Sequence, residues 1–147
     1  MSALRKIREW LKTYPGIDKI QDLNVDYYSM QLDNSSIAPS GLVEVSCSED
    51  ILGNITVENQ YNFKLFFVFP KAPGDDASST ENADWLLDFQ EWVQEQSVKR
   101  LAPRFGEDPK RESIKAQNGT NEYADIEGTG IYTVLLSINF IKTYKEE

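Results

Sequence analysis

Ile55-Thr56-Val57-Glu58-Asn59-Gln60-Tyr61-Asn62-Phe63-Lys64-Leu65-Phe66-Phe67-Val68-Phe69 carries Ile55, Val57, Tyr61, Phe63, Leu65, Phe67 and Phe69 at odd positions, with Thr56, Glu58, Gln60, Asn62 and Lys64 between them. Side chains alternate faces along a strand, so this stretch reads as one long strand or ribbon with a packed face and a wet face. At Phe66 and Val68 the even face turns apolar too, so that end should be covered on both sides. The rest of the chain must supply the partners and the cover.

Toward the N-terminus, Val43, Val45 and Cys47 alternate with Glu44, Ser46 and Ser48, which predicts a half-buried strand ending near Glu49-Asp50. Leu52-Gly53-Asn54 then supplies the turn of a hairpin. Residues 33–41, rich in Asn, Ser and Pro, read as a loop. Residues 23–32 read as a strand, with Leu23, Val25 and Tyr27 on one face and Tyr28, Met30 and Leu32 on the other, a shift that implies a bulge or two-sided burial. Leu4, Ile7 and Leu11 form the stripe of a first helix, capped by Ser2, broadened by Trp10 and stopped by Tyr14-Pro15-Gly16. Such a helix is laid on a sheet more readily than on a membrane or a partner.

Toward the C-terminus, residues 71–80 form a polar loop containing Pro73, Gly74, Asp75 and Asp76. Ser78 with Glu81 has the spacing of a capping box, and Trp85, Phe89, Trp92, Val93 and Gln96, with Leu86 beside them, follow the stripe of a helix running to about Arg100. This amphipathic helix is expected to be the main body packed on the sheet, because each buried aromatic contributes roughly 150–250 Å². Residues 101–110 connect it to a short strand over 113–117, a turn over 118–121 and an extended piece over 123–126. Gly128-Thr129-Gly130 opens a final strand with Tyr132, Val134, Leu136, Ile138 and Phe140 on one face. Ile131, Thr133, Leu135, Ser137, Asn139 and Ile141 make its other face mixed, a surface suited to a second subunit. The expected fold class is α+β: a mostly antiparallel sheet with an N-terminal helix and a central amphipathic helix packed on it, in a single domain over 1–147.

Composition narrows the function classes. The chain of 147 residues has no histidine and one cysteine, Cys47. It therefore lacks the commonest general base and transition-metal ligand, and it cannot form an internal disulfide. The longest purely apolar stretch, residues 65–70, is far short of the roughly 20 residues of a bilayer span. The charged N-terminal residues lack the pattern of a signal peptide, so the protein is expected inside the cell. A formal charge of −9 opposes binding to nucleic-acid phosphates or anionic membranes; the basic clusters Lys6, Arg8, Lys12 and Lys99, Arg100, Arg104 have acidic neighbours.

Each candidate for chemistry has a plainer reading. Asp75-Asp76 lacks further ligands at calcium-loop spacing, and Asp84, Asp88, Glu91 and Glu95 mark a solvated helix face. Gly128-Thr129-Gly130 precedes a strand, whereas phosphate loops follow a strand and open a helix. Cys47 reads as a small core residue, and β-propensity accounts for Tyr27, Tyr28 and Tyr61 without a groove. No catalytic, cofactor-binding or metal-binding residues are assigned, and no enzymatic activity is expected.

Three stretches resemble one family: Ile7-Arg8-Glu9-Trp10-Leu11-Lys12, Asp84-Trp85-Leu86-Leu87-Asp88-Phe89-Gln90-Glu91-Trp92-Val93, and Gly130-Ile131-Tyr132-Thr133-Val134 leading to Phe140 and Tyr144. Their order and spacing are similar to the minor capsid or tail-terminator (tail-completion) proteins of Gram-positive siphophages and their prophages. The resemblance implies a tail-terminator-like fold and a ring, often hexameric, at the head-proximal end of the tail tube. The implied partners are further copies of the chain, the tail-tube protein and the head-completion or connector protein. The implied location is the virion, with the host bacterial cytoplasm during assembly. Contacts in such rings are heterologous, and the mixed face of the last strand and the loop 71–80 are the candidate contact surfaces. Two other readings compete: a monomeric protein-binding adaptor using the tyrosine-rich strand surface, and a small hydrolase or transferase working through carboxylates alone.

Overall fold

The computed structural model describes residues 2–16, 22–25, 34–70, 76–124 and 129–145. Helix α1 spans Ala3–Leu11, and strands β1, β2 and β3 span Asp22–Val25, Asn34–Glu49 and Ile55–Pro70. Helix α2 spans Asp76–Val98, and after a short 3₁₀ turn at Pro109–Arg111 come β4, Ser113–Ala124, and β5, Thr129–Tyr144. The strands form one sheet in the order β1-β2-β3-β5-β4. Among the described residues only the β1–β2 pairing is parallel; the others are antiparallel, so the fold is α+β with a mostly antiparallel sheet.

The long alternating stretch is β3, paired with β5 from Ile55↔Tyr144 to Pro70↔Thr129. That register puts Phe63, Leu65 and Phe67 on the same face as Leu136, Val134 and Tyr132, all of them buried. Both helices cover this face. Ile7, Trp10 and Leu11 of α1 and Leu86, Phe89 and Val93 of α2 join the strand residues in one hydrophobic cluster. The helices meet through aromatic rings: Trp10 stacks on Trp92 at 4.8 Å, and the Trp10 indole N–H donates to Gln96 Oε1 at 3.0 Å. Tyr14, just past α1, packs edge-on to Trp85 and Phe89. Ser2 caps α1 as its sequence predicts, accepting from the Arg5 amide at 3.2 Å.

Four local expectations are corrected. Residues 34–41, read as loop, belong to β2, where Ser35 to Pro39 pair with Phe67 to Phe63. The apolar run of β3 needs a partner ladder, and Pro39 is tolerated in β2 because β1 pairs with it only as far as Ile37. The break expected at 118–121 is an irregularity inside a continuous β4, with register shifts between Gln117 and Thr120 and between Asn121 and Tyr123. Helix α2 starts at Asp76, before the capping-box serine. The other end stops at Val98 in a Schellman arrangement: Leu101 N–H donates to Gln96 O and Arg100 N–H to Ser97 O, with Arg100 at φ +57°. Finally, Cys47 is exposed, not a core residue. Of the strand expected over 23–32, residues 26–32 lie outside the described residues, as do 71–75 and 125–128.

Candidate functional site

The sheet continues beyond its helical cover. Past Pro39 every described residue of β2 is exposed to solvent through Glu49, and the tip that follows carries Ile51 at 102% and Leu52 at 74% exposure. Residues 41–61 thus form a hairpin arm, backed on one side by the last residues of β5 and bare along β2 among the described residues. The tip is well built. Asp50 accepts from the Leu52 and Asn54 amides at 2.9 and 3.0 Å, and the Asn54 side chain donates to its second oxygen at 3.1 Å. These donors, the Asn54 amide foremost, hold the Asp50 carboxyl below its ordinary pKa.

Two bulges explain why the Val43, Val45, Cys47 alternation misleads. Register shifts between Pro39 and Gly41 and between Glu44 and Ser46 move the face twice, so Leu42 lies opposite Tyr61 while Cys47 lies opposite Val57. Gly41 permits the first shift at φ +103°, a conformation other residues rarely adopt. Leu42, Val43 and Val45 are each about half exposed as a result. Sequence reasoning missed these as surface residues. The available signal was Ile51-Leu52, an apolar pair inside a turn whose other residues are polar or glycine.

At the opposite edge of the sheet, α2 lies along β4. Ser97 Oγ accepts from the Ile114 amide at 3.1 Å, and Gln90 donates to the Ala116 carbonyl at 3.1 Å. These side chains occupy one backbone N–H and one C=O near the start of β4, which blunts that part of it as an edge for further strand pairing. Beside this seam lies a groove of about 580 Å³ whose apolar lining is Leu87, Val98, Ile114 and Ala116. Leu87 and Val98 are largely exposed, and Lys115 and Gln117 stand on its β4 rim.

The connection after α2 anchors the base of the arm. Glu112 Oε1 accepts from the Phe105 and Gly106 amides at 2.6 and 3.1 Å. The Phe105 ring packs on Tyr61 and Phe140, with Lys6 Nζ 5.4 Å above it and donating to the Arg104 carbonyl. Glu107 N–H donates to Ile141 O and its carboxylate accepts from the Thr143 amide. Gly106 lies so close to Ile141 that a Cβ there would meet its carbonyl.

The remaining sequence candidates are dispersed. Tyr61 is packed among Phe63, Phe105 and Phe140, and Tyr27 and Tyr28 lie outside the described residues. Asp84, Asp88, Glu91 and Glu95 are exposed along α2, with Glu95 paired to Lys99 at 2.7 Å. Asp88 contributes to a raised Tyr14 pKa, for which burial of the phenol is the larger cause. Thr129 and Gly130 open β5 opposite Pro70 and Phe69. The outer face of β5, expected to meet a second subunit, is already closed at Thr133, Ser137 and Ile141, with Ser137 Oγ donating to Asn62 and Gln60 to Asn139. Among the described residues no group of three Cys, Asp or Glu side chains converges to hold a metal ion, and no helix is long and apolar enough to cross a membrane. No protein-family model matches the chain, and no curated protein matches it.

Proposed function

We propose that the chain is a structural assembly protein of a phage or prophage tail, a tail terminator or minor capsid component that joins copies of itself into a ring at the head-proximal end of the tail tube. The arm carries the reading. A hairpin that leaves Leu42, Val43, Val45, Ile51 and Leu52 exposed together is a contact surface awaiting a partner. Closed rings need two different surfaces on each subunit, and the arm and the α2–β4 face lie at opposite edges of the sheet. The order of helix, strands, tryptophan-bearing helix and final strand also agrees with the tail-terminator resemblance. In this role the protein performs no reaction, and its partners are the tail-tube protein below and the connector above.

Light scattering across a wide concentration range, with and without purified tail-tube protein, tests the proposal. Growth to a closed ring of fixed mass, alone or on tubes, is the expected result. A monomer under every condition would overturn it in favour of an adaptor.

A further inference from the structure

The basic residues of α1 and those of the segment after α2 lie far apart in the sequence and meet in the fold. Lys6 Nζ donates to the Arg104 carbonyl at 3.0 Å, and the Trp10 indole ties α1 to Gln96 near the end of α2. Arg100 and Arg104 line one small cleft there, with Ser97 and Ser113 beside them. We infer that Lys6, Arg100 and Arg104 form a docking site for an acidic segment of a partner protein, whose carboxylates pair with the two guanidiniums.

The acids nearby leave this site positive. Glu9 pairs with Lys12 at 3.7 Å and Glu95 with Lys99 at 2.7 Å, while Glu107 accepts from the Thr143 amide and Asp108 from that of Lys110. Glu112, which also lines the cleft, accepts from the Phe105 and Gly106 amides through one oxygen and has the other buried. Among the described residues no carboxylate pairs with Arg100 or Arg104, and both arginines are exposed. Residues 3–12 hold four basic residues and one acid, and residues 99–111 five and two, in a chain of 15 basic and 24 acidic residues. Positive charge gathered at one place on an acidic protein steers a surface of opposite charge to that place.

The surroundings favour protein carboxylates over nucleic-acid phosphates. The aromatic ring at the site, Phe105, lies under Lys6 and packs on Tyr61 and Phe140, so it is not open to stack a base. Leu101, 61% exposed between the two arginines, instead offers footing to an aliphatic side chain beside the carboxylate. Ser97 Oγ accepts from the Ile114 amide and keeps its hydroxyl hydrogen to donate. A formal charge of −9 repels a long polyanion wherever it extends past the cluster.

Calorimetric titration of the full chain with polyglutamate at low salt tests the site. The expected result is binding that weakens as salt is raised and falls by about tenfold or more in Arg100→Glu with Arg104→Glu. Lys142→Glu with Lys145→Glu, the same change of net charge outside the cluster, should leave it within about twofold of wild type. All four side chains are exposed, so both variants should melt as the wild type does. Absence of binding, binding untouched by the arginine reversals, or equal losses in the two variants would overturn the site. Double-stranded DNA bound as tightly as polyglutamate, and lost in the same arginine variant, would make it a phosphate contact and overturn the inference as well.

Discussion

The two halves of β3 differ less in sequence than in what lies above them. From Phe63 to Phe69 the odd-numbered side chains are buried under α1 and α2; from Ile55 to Tyr61 the same alternation continues, yet the β2 residues paired with it, Leu42 to Glu49, are exposed. Alternation specifies a face, and only a covering element turns the face into a core. The helices reach one half, and Phe105 covers the next step at Tyr61 and Phe140. Beyond it the ladder stands on its own hydrogen bonds, its turn and the last residues of β5.

The sharpest way to separate the halves is truncation. Phe89→Ala, which removes a 2% exposed ring from between the helices and β3, is expected to cost about 3–5 kcal/mol, measured by urea unfolding. Val45→Ala in the arm should stay within about 0.5 kcal/mol of wild type. Equal losses at the two sites would erase the distinction. The boundary between the halves is held by Gly106, and Gly106→Ala is expected to destabilise by about 1–3 kcal/mol, because the new methyl meets the Ile141 backbone and the loop must move. Hydrogen exchange should then show faster opening at Ile141 and Thr143 than in β3 between Phe63 and Phe69. Within the covered half, Arg100→Gly should stabilise by about 0.5–1 kcal/mol by relieving the left-handed backbone at the end of α2, read as a rise in the unfolding midpoint.

The smallest effect is local to the arm. Asp50 has its pKa lowered in the folded tip, so its bonds to Leu52 and Asn54 are fully made above the ordinary carboxylate pKa. They are lost as pH falls through the lower folded value. Amide signals of Leu52 and Asn54 should therefore shift in acid while those of β3 under the helices do not. A tip unchanged after full protonation of Asp50 would mean that backbone bonds alone hold the turn.

Much of the covered half was legible in the sequence, for a physical reason. Period-two and helical stripes ending in large aromatics, as at Phe63 to Phe69 and Trp85 to Val93, leave few alternatives to burial. The N-cap at Ser2 and the turn after Asp50 were legible because local side-chain chemistry closes them. The arm was not, since its bulges break the register at single residues and its exposure depends on where α1 and α2 end. Pro39 and Asn34 read as loop until the demand of β3 for a ladder partner is weighed against them. The groove beside Leu87 and Val98 was invisible for a related cause: Leu87 sits among acidic neighbours on a face that solvation alone explains.

The central claim, that the arm is a contact surface left bare in the monomer, is tested most directly by amide hydrogen exchange on the free protein and on the assembled ring. The account predicts faster exchange along β2 from Leu42 to Cys47 than along Phe63 to Phe69 in the monomer, and a slowing of the β2 stretch on assembly, with Phe63 to Phe69 slow in both. Protection of those β2 amides in the free monomer equal to that of Phe63 to Phe69, or exchange unchanged on assembly, would contradict it.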